Sequence, residues 1–254
     1  MELKRIEAEH FRRHGFVLVP NPFGEGAMRR IEARQHAVQA EWEGRDWPAA
    51  FNRGACQFFM VGEELLRAVE HPGLLEAARA LLQTDEIHVG ACGLGDASKT
   101  VSADGRPQQQ VHWHVDGSPG AEQVSVRTAL DRHDSSNAPL RVLPGSHRRP
   151  REEVLHELQQ LEIASGRHDG PPGHCFARHP HEVEVHLDPR WSLVWTPSAW
   201  HATGVKTAAG PRRAMAWNYF PAGGRKRDID ALRHVLGADL EGWSPARKRL
   251  WGVD

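Results

Sequence analysis

Cysteine is scarce in this chain: three in 254 residues, Cys56, Cys92 and Cys175, none of them in a Cys-x-x-Cys pair. An odd, scattered set excludes a disulfide framework or a four-thiolate zinc site and suits a reducing, cytoplasmic compartment. An excess of one charge is missing too. With 32 basic against 33 acidic residues the formal charge is −1, so no net field draws the chain to nucleic acid. No apolar run approaches the roughly 18 residues of a membrane span. Acidic residues stand in the first ten positions, where a signal peptide needs an apolar core. The expectation is a cytoplasmic protein with neither a membrane nor a nucleic acid partner. Gly and Pro together make 41 residues, too few for a low-complexity or collagen-like chain. Histidine is what the sequence has in plenty, 17 in all, and the question is which of them are arranged.

The length predicts one domain, 1–254. Residues 1–85 are expected to be a mostly helical flank. Leu3, Ile6 and Phe11 form a weak helical stripe, Phe16 to Val19 form a short strand closed by Pro20-Asn21-Pro22, and apolar spacing of three and four predicts a helix over 25–43. Helices over 63–70 and 73–82 are parted by His71-Pro72, because the residue before proline leaves the α region. From Ile87 short alternating runs predict strands at 86–93, 108–115, 122–130, 139–143, 182–187, 191–195, 200–205 and 213–219, the pattern of an all-β sandwich or barrel. This core, 86–220, is interrupted over 151–181 by a helix carrying Val154, Leu155, Leu158 and Leu161 and by a polar loop from Ala164 to His181, expected to be a lid. A C-terminal tail, 221–254, completes the chain.

The segment Gln110-Val-His112-Trp-His114-Val-Asp116 ends a strand, and a period of two sends Gln110, His112, His114 and the incoming Asp116 toward one side. Imidazole with carboxylate suits Fe(II), whose facial triad of two histidines and one carboxylate leaves three positions open. His201, 85 residues after Asp116 on a predicted strand, is the candidate for the second histidine. Eleven residues later Arg212 opens a strand on which it shares a face with Ala214, Ala216 and Asn218, whereas Arg213 shares the other with Met215, Trp217 and Tyr219. A guanidinium inside a barrel needs an anion, and its planar fork matches a carboxylate, with Thr203 beside it as a hydroxyl donor.

These residues resemble the phytanoyl-CoA dioxygenase family of Fe(II)/2-oxoglutarate oxygenases. The match rests on Trp113-His114-Val115-Asp116, on the turn Pro139-Leu140-Arg141-Val142-Leu143-Pro144-Gly145-Ser146-His147, on Trp200-His201 with Arg212, and on the early Gly15-Phe16-Val17-Leu18-Val19. The resemblance implies a mainly β fold with flanking α, a double-stranded β-helix (jelly roll, cupin-like) core with an N-terminal helical layer. It also implies Fe(II) on His114, Asp116 and His201, and 2-oxoglutarate held by Arg212 and Thr203, with Gln110 a further cofactor-binding candidate. The implied chemistry uses O2 to convert 2-oxoglutarate to succinate and CO2 while oxidising a small-molecule substrate, usually by hydroxylation and expected here in specialised metabolism. His112, Arg127 and Trp113 are the candidate substrate contacts. Arg127 and His112 depart from the family pattern, and Asp116 disfavours halogenation, since related halogenases carry a small residue there.

Other readings of the same residues stand beside this one. His112 competes with His114 for a cupin-type His-x-His site, which leaves Asp116 without a role. His147 is a possible third ligand, although packing of the turn fits it better. His168, His174, Cys175, His179 and His181 crowd one loop without the spacing of a zinc finger. Trp195, Trp200 and Trp217 fit core positions as well as a pocket, and Arg148, Arg149 and Arg151 read as a solvated helix start. At the level of function the rival is a non-catalytic or differently metallated cupin-like binding protein, or a 2-oxoglutarate enzyme acting as epimerase, desaturase or cyclase.

Overall fold

In a computed structural model of the chain, residues 5–43, 60–96, 109–116, 122–166, 173–222, 233 and 240–253 are described. Among these residues nine strands form two antiparallel sheets. They are β1 (Phe16–Pro20), β2 (Ile87–Asp96), β3 (Gln109–His114), β4 (Val124–Ala129), β5 (Leu140–Val142), β6 (Val183–Val185), β7 (Trp191–Trp195), β8 (His201–Val205) and β9 (Arg213–Pro221). The large sheet runs β1-β7-β4-β9-β2 and the small sheet β3-β8-β5-β6. The expected architecture, mainly β with flanking helices and a jelly-roll core, is the observed one.

The alternation of each strand sorts its side chains between two cores. Ala129, Leu193 and Trp195 of the large sheet pack between the sheets against Leu140, Val142 and Val185 of the small one. Their neighbours of opposite parity, Val124, Val126, Val194, Met215, Trp217 and Tyr219, form a second core under the helices. Those helices are α1 (Arg5–His14), α2 (Glu25–Glu43), α3 (Glu63–Val69) and α4 (Pro72–Leu82), α2 having the span its periodicity predicts. Ile31, Leu65, Val69 and Leu74 from this layer are almost fully buried. The Tyr219 hydroxyl donates to the Val69 carbonyl at 2.6 Å, so the one phenol of the chain is satisfied inside this core.

α5 (Arg151–Ala164) covers the outer face of the small sheet, where Trp113, Leu143, Val154, Leu158, Cys175 and Trp200 pack together. The tail expected over 221–254 contains, among the described residues, helix α6 (Pro245–Trp251), whose Trp251 is fully buried in the helix-side core. Ser244 caps it by accepting from the Arg247 amide, Pro245 opens it, and Gly252 closes it at φ 63°. Arg247 binds both Glu70 and Glu63, tying α6 to α3. Cys92 and Cys175 are both buried. Among the described residues no helix is long and apolar enough to cross a membrane.

The turn after β5 docks on the N-terminal segment. Gly15 is at φ +86°, and a Cβ there would lie 2.8 Å from His147 Nδ1. The His147 ring also contacts the Arg12 carbonyl at 3.2 Å. His147 is therefore a packing residue of the turn.

Candidate metal centre

β3 and β8 are neighbours in the small sheet, and their pairing sets His114 directly opposite His201. The two ring centroids are 4.2 Å apart. Each ring is fixed by its own backbone: His114 Nδ1 lies 2.8 Å from the His112 carbonyl and His201 Nδ1 lies 2.8 Å from the Ala199 carbonyl. A ring N–H donating to each carbonyl leaves the lone pair on Nε2, the state that binds metal. Both Nε2 atoms face Asp116, at 3.7 Å from Oδ1 for His114 and 3.5 Å from Oδ2 for His201. The three ligand atoms lie within 4.8 Å of one another, and this is the one such cluster of His, Cys, Asp or Glu among the described residues. The alternative zinc set around His174, Cys175, His179 and His181 does not converge there, and His168 lies outside the described residues.

Asp116 lies two residues beyond the end of β3 and is held from two directions. Its amide donates to the Pro197 carbonyl at 2.9 Å, joining it to the turn that enters β8. Its carbonyl accepts from Gln123 Nε2 at 3.1 Å. Gln123 Oε1 accepts from Asn218 Nδ2 at 3.1 Å, and Asn218 Oδ1 accepts from Ser125 Oγ at 2.7 Å. This polar chain ties the candidate ligand to β4 and β9. Asn218 has the inward parity that the sequence reading gave it, but Gln123 carries no periodic signal. Hydrogen bonding with His201 holds the Asp116 carboxyl below the usual range, and burial, then the His201 charge, hold His114 below the usual histidine range. A neutral imidazole beside a carboxylate is the donor set a divalent ion takes.

Arg212 and Thr203 are both buried. Arg212 Nε donates to the Ala138 carbonyl at 2.9 Å, while its Nη2 is buried with no partner among the described residues. Burial, then the charge of Arg127, pull the Arg212 pKa down to about 9. Thr203 follows His201 by two residues in β8, between Val111 and Leu140 in register. Arg213 takes the other side. Its guanidinium meets Asp131 at 2.7 Å and Glu32 of α2 at 2.6 Å.

The strand period fails at one point. Val111 is opposite Thr203 and His114 opposite His201, so three steps of β3 match two of β8. This bulge shifts the phase, and Val111 rather than His112 shares the inward side with His114. Gln110 has the parity opposite to Val111, and its side chain lies outside the described residues. His112 leaves the triad to stack on His174, with centroids 3.8 Å apart and planes at 7°. Trp113 is buried on the outer face, donating Nε1–H to the Ala177 carbonyl at 2.9 Å under the Arg141 guanidinium and packing with the residues of α5.

The stretch expected to be a lid, 164–181, is described in part. Within it, 173–181 forms a hydrogen-bonded strap beside β3. The Trp113 amide donates to the Cys175 carbonyl, and the Phe176 and Ala177 amides donate to Glu162 Oε2, both at 2.6 Å. Arg141 holds the Phe176 and Ala177 carbonyls and a buried ion pair with Glu182 at 2.6 Å. Residues 167–172 lie outside the described set.

The sequence model of the phytanoyl-CoA dioxygenase (PhyH) family matches residues 11–214. Ectoine dioxygenase of Bordetella bronchiseptica is 25% identical over 185 residues, covering 63% of this chain and 57% of that protein, so the match spans little more than half of the curated relative. Among solved structures, AviO1 from Streptomyces viridochromogenes Tue57 superposes with a TM-score of 0.62 at 19% identity, covering 89% of this chain and 98% of that one. HygX from Streptomyces hygroscopicus, solved with nickel and 2-oxoglutarate bound, gives 0.61 at 15% identity over 87% of this chain and 88% of that one. At these identities the structural likeness is one of fold.

Proposed function

Since the chain belongs to the phytanoyl-CoA dioxygenase family, we propose that it is an Fe(II)- and 2-oxoglutarate-dependent oxygenase acting on a small molecule, most simply by hydroxylation. The observation that carries this reading is the convergence of His114, Asp116 and His201 within 4.8 Å. Behind it Arg212, buried with an unpartnered Nη2, supports an organic acid as the second ligand. In this proposal His114 Nε2, Asp116 and His201 Nε2 hold Fe(II), and Arg212 with Thr203 holds the far carboxylate of 2-oxoglutarate. With O2, the iron and keto acid supply the oxidising power, releasing succinate and CO2 as a substrate C–H bond is oxidised.

The chain's own part is orientation and exclusion. The two rings, each with Nδ1 against a backbone carbonyl, present Nε2 toward Asp116. The Gln123-Asn218-Ser125 chain fixes the backbone that aims Asp116. Ala214 and Ala216 have the inward parity of β9, opposite Ala129 and Arg127, and their small side chains leave room beside Arg212. Leu193 and Trp195 wall the interior against water.

Anaerobic addition of Fe(II) and 2-oxoglutarate tests the reading. Chelation of the iron by the keto acid is expected to give a visible charge-transfer band, and admission of O2 to release succinate. Folded, iron-loaded protein without a band would return the chain to the class of binding proteins.

A further inference from the structure

Among the described residues, the interior between the sheets holds two guanidinium groups, and the proposed ligands neutralise only one. Arg127 stands mid-strand in β4, opposite Ala216 of β9 and Leu193 of β7, on the inward side. Its guanidinium carbon lies 5.6 Å from the centroid of the Trp195 ring. Nε and Nη1 are buried and have no hydrogen-bond partner among the described residues. Burial pushes its pKa down, opposed only by the through-space charge of Asp116.

Among the described residues, the buried cations other than Arg127 and Arg212 are satisfied. Arg141 meets Glu182, Arg213 meets Asp131 and Glu32, and Lys206 Nζ donates to the carbonyls of Ala208 and Gly210. Asp116 offsets one of the two charges of a divalent metal. A dianionic 2-oxoglutarate offsets the other, together with that of Arg212. The charge of Arg127 is left over with its Nε and Nη1 buried, where an unpaired ion is disfavoured.

We propose that the primary substrate is a carboxylic acid and that Arg127 receives its carboxylate, a substrate class that rests on the oxygenase reading of the site. The planar fork suits a carboxylate, and the adjoining Trp195 face suits an apolar body attached to it. Arg127 is thus a specificity residue, separate from the cosubstrate anchor Arg212.

The test uses full-length protein loaded anaerobically with Fe(II) and 2-oxoglutarate. Amino, hydroxy and aromatic carboxylic acids are each titrated beside their primary amides, following perturbation of the charge-transfer band. The responding compounds are expected to be acids, with amides weaker by roughly tenfold or more. Arg127→Gln is expected to erase that preference while leaving 2-oxoglutarate affinity within about threefold of wild type, as for an independent site. Ligand-free Arg127→Gln is expected to melt no lower than wild type, because it removes an unpaired buried charge. An amide that binds as well as its acid, or a panel with no responding acid, overturns the proposal. A loss of 2-oxoglutarate binding as large as that of Arg212→Ala makes Arg127 a cosubstrate residue, and a markedly lowered melting temperature makes it a packing residue; either result overturns it. A wild-type protein that gives no band fails at an earlier step, sinking the oxygenase reading and this proposal with it.

Discussion

Arg212 and Arg213, adjacent in the chain, serve opposite sides of the large sheet. Arg213 reaches outward to Asp131 and to Glu32 of the covering helix, whereas Arg212 turns toward the interior shared with Arg127. Their replacements therefore separate binding from stability. Arg212→Ala leaves a buried carboxylate of the cosubstrate unpaired, a loss of about 3–5 kcal/mol, so 2-oxoglutarate affinity is expected to fall by two orders of magnitude or more. Arg212→Lys restores the charge without the fork and recovers part of the loss. Arg213→Ala strands Asp131, whose side chain is 13% exposed, and is expected to destabilise the fold by about 3 kcal/mol with cosubstrate affinity little changed. Titration of the anaerobic iron complex and urea melts of both variants decide it; the reverse pattern would place the strand one residue out of register.

Metal affinity is expected to follow each residue's distance from the lone pairs. Alanine at His114, Asp116 or His201 removes a ligand and abolishes stable Fe(II) binding. Asn218→Ala breaks the chain that holds the Asp116 backbone and is expected to weaken binding by about tenfold, the lower end for outer partners of metal ligands. His112→Ala is expected to do least, because the carbonyl that orients His114 stays in place. Metal content after dialysis, measured with circular dichroism to verify folding, ranks the variants. If His112→Ala loses iron and His114→Ala keeps it, the ligand assignment falls.

The alternating runs made the nine strands legible, since a half-buried strand writes its two faces into the sequence, and β7 lies over 191–195 as expected. His114, Asp116, His201 and Arg212 were legible for the same reason: His114 and His201 stand on strands, and Asp116 and Arg212 within two residues of a strand end. What failed was what parity alone does not encode. The bulge in β3 inserts a residue with no compositional mark, so His112 was placed on the side that Val111 occupies. Trp113 and the strap 173–181 hold each other partly through a backbone bond that any sequence supplies, from the Trp113 amide to the Cys175 carbonyl, and the side chains that select the arrangement, Trp113, Arg141 and Glu162, lie far from the strap in the chain or in another element. The helix α6 was encoded locally, by Ser244-Pro245 before it and Gly252 after it, although its short span carries little periodicity.

The strap gives a third expectation. Glu162 Oε2 accepts from two amides, Phe176 and Ala177, and hydrogen bonds to a charged group contribute about 1.5–3 kcal/mol each. Glu162→Ala is expected to speed hydrogen exchange at these amides by at least about tenfold, with the strands of the large sheet unaffected. Unchanged exchange at both positions would show that the strap is held without Glu162, by its contacts to Arg141 and Trp113.

His133 supplies a pH dependence whose sign follows from its surroundings. It is 1% exposed, its Nε2 lies 3.1 Å from the Arg213 carbonyl, and burial, then the charges of Arg212 and Arg127, pull its pKa down to about 3. Asp131 acts in the opposite sense but does not prevail. In the unfolded chain the same ring titrates near 6.5. Between these values the unfolded state takes up a proton that the folded state refuses, so stability contributed above pH 6.5 is lost progressively as the pH falls toward 3. By pH 5 the loss from this one group is about 2 kcal/mol. His133→Gln retains an N–H for the Arg213 carbonyl and does not titrate, so it is expected to lower stability at pH 7.5 yet lose about 2 kcal/mol less than wild type on going to pH 5. Urea melts of both proteins at the two pH values measure the difference. Equal losses in the two proteins would assign the acid sensitivity to another group.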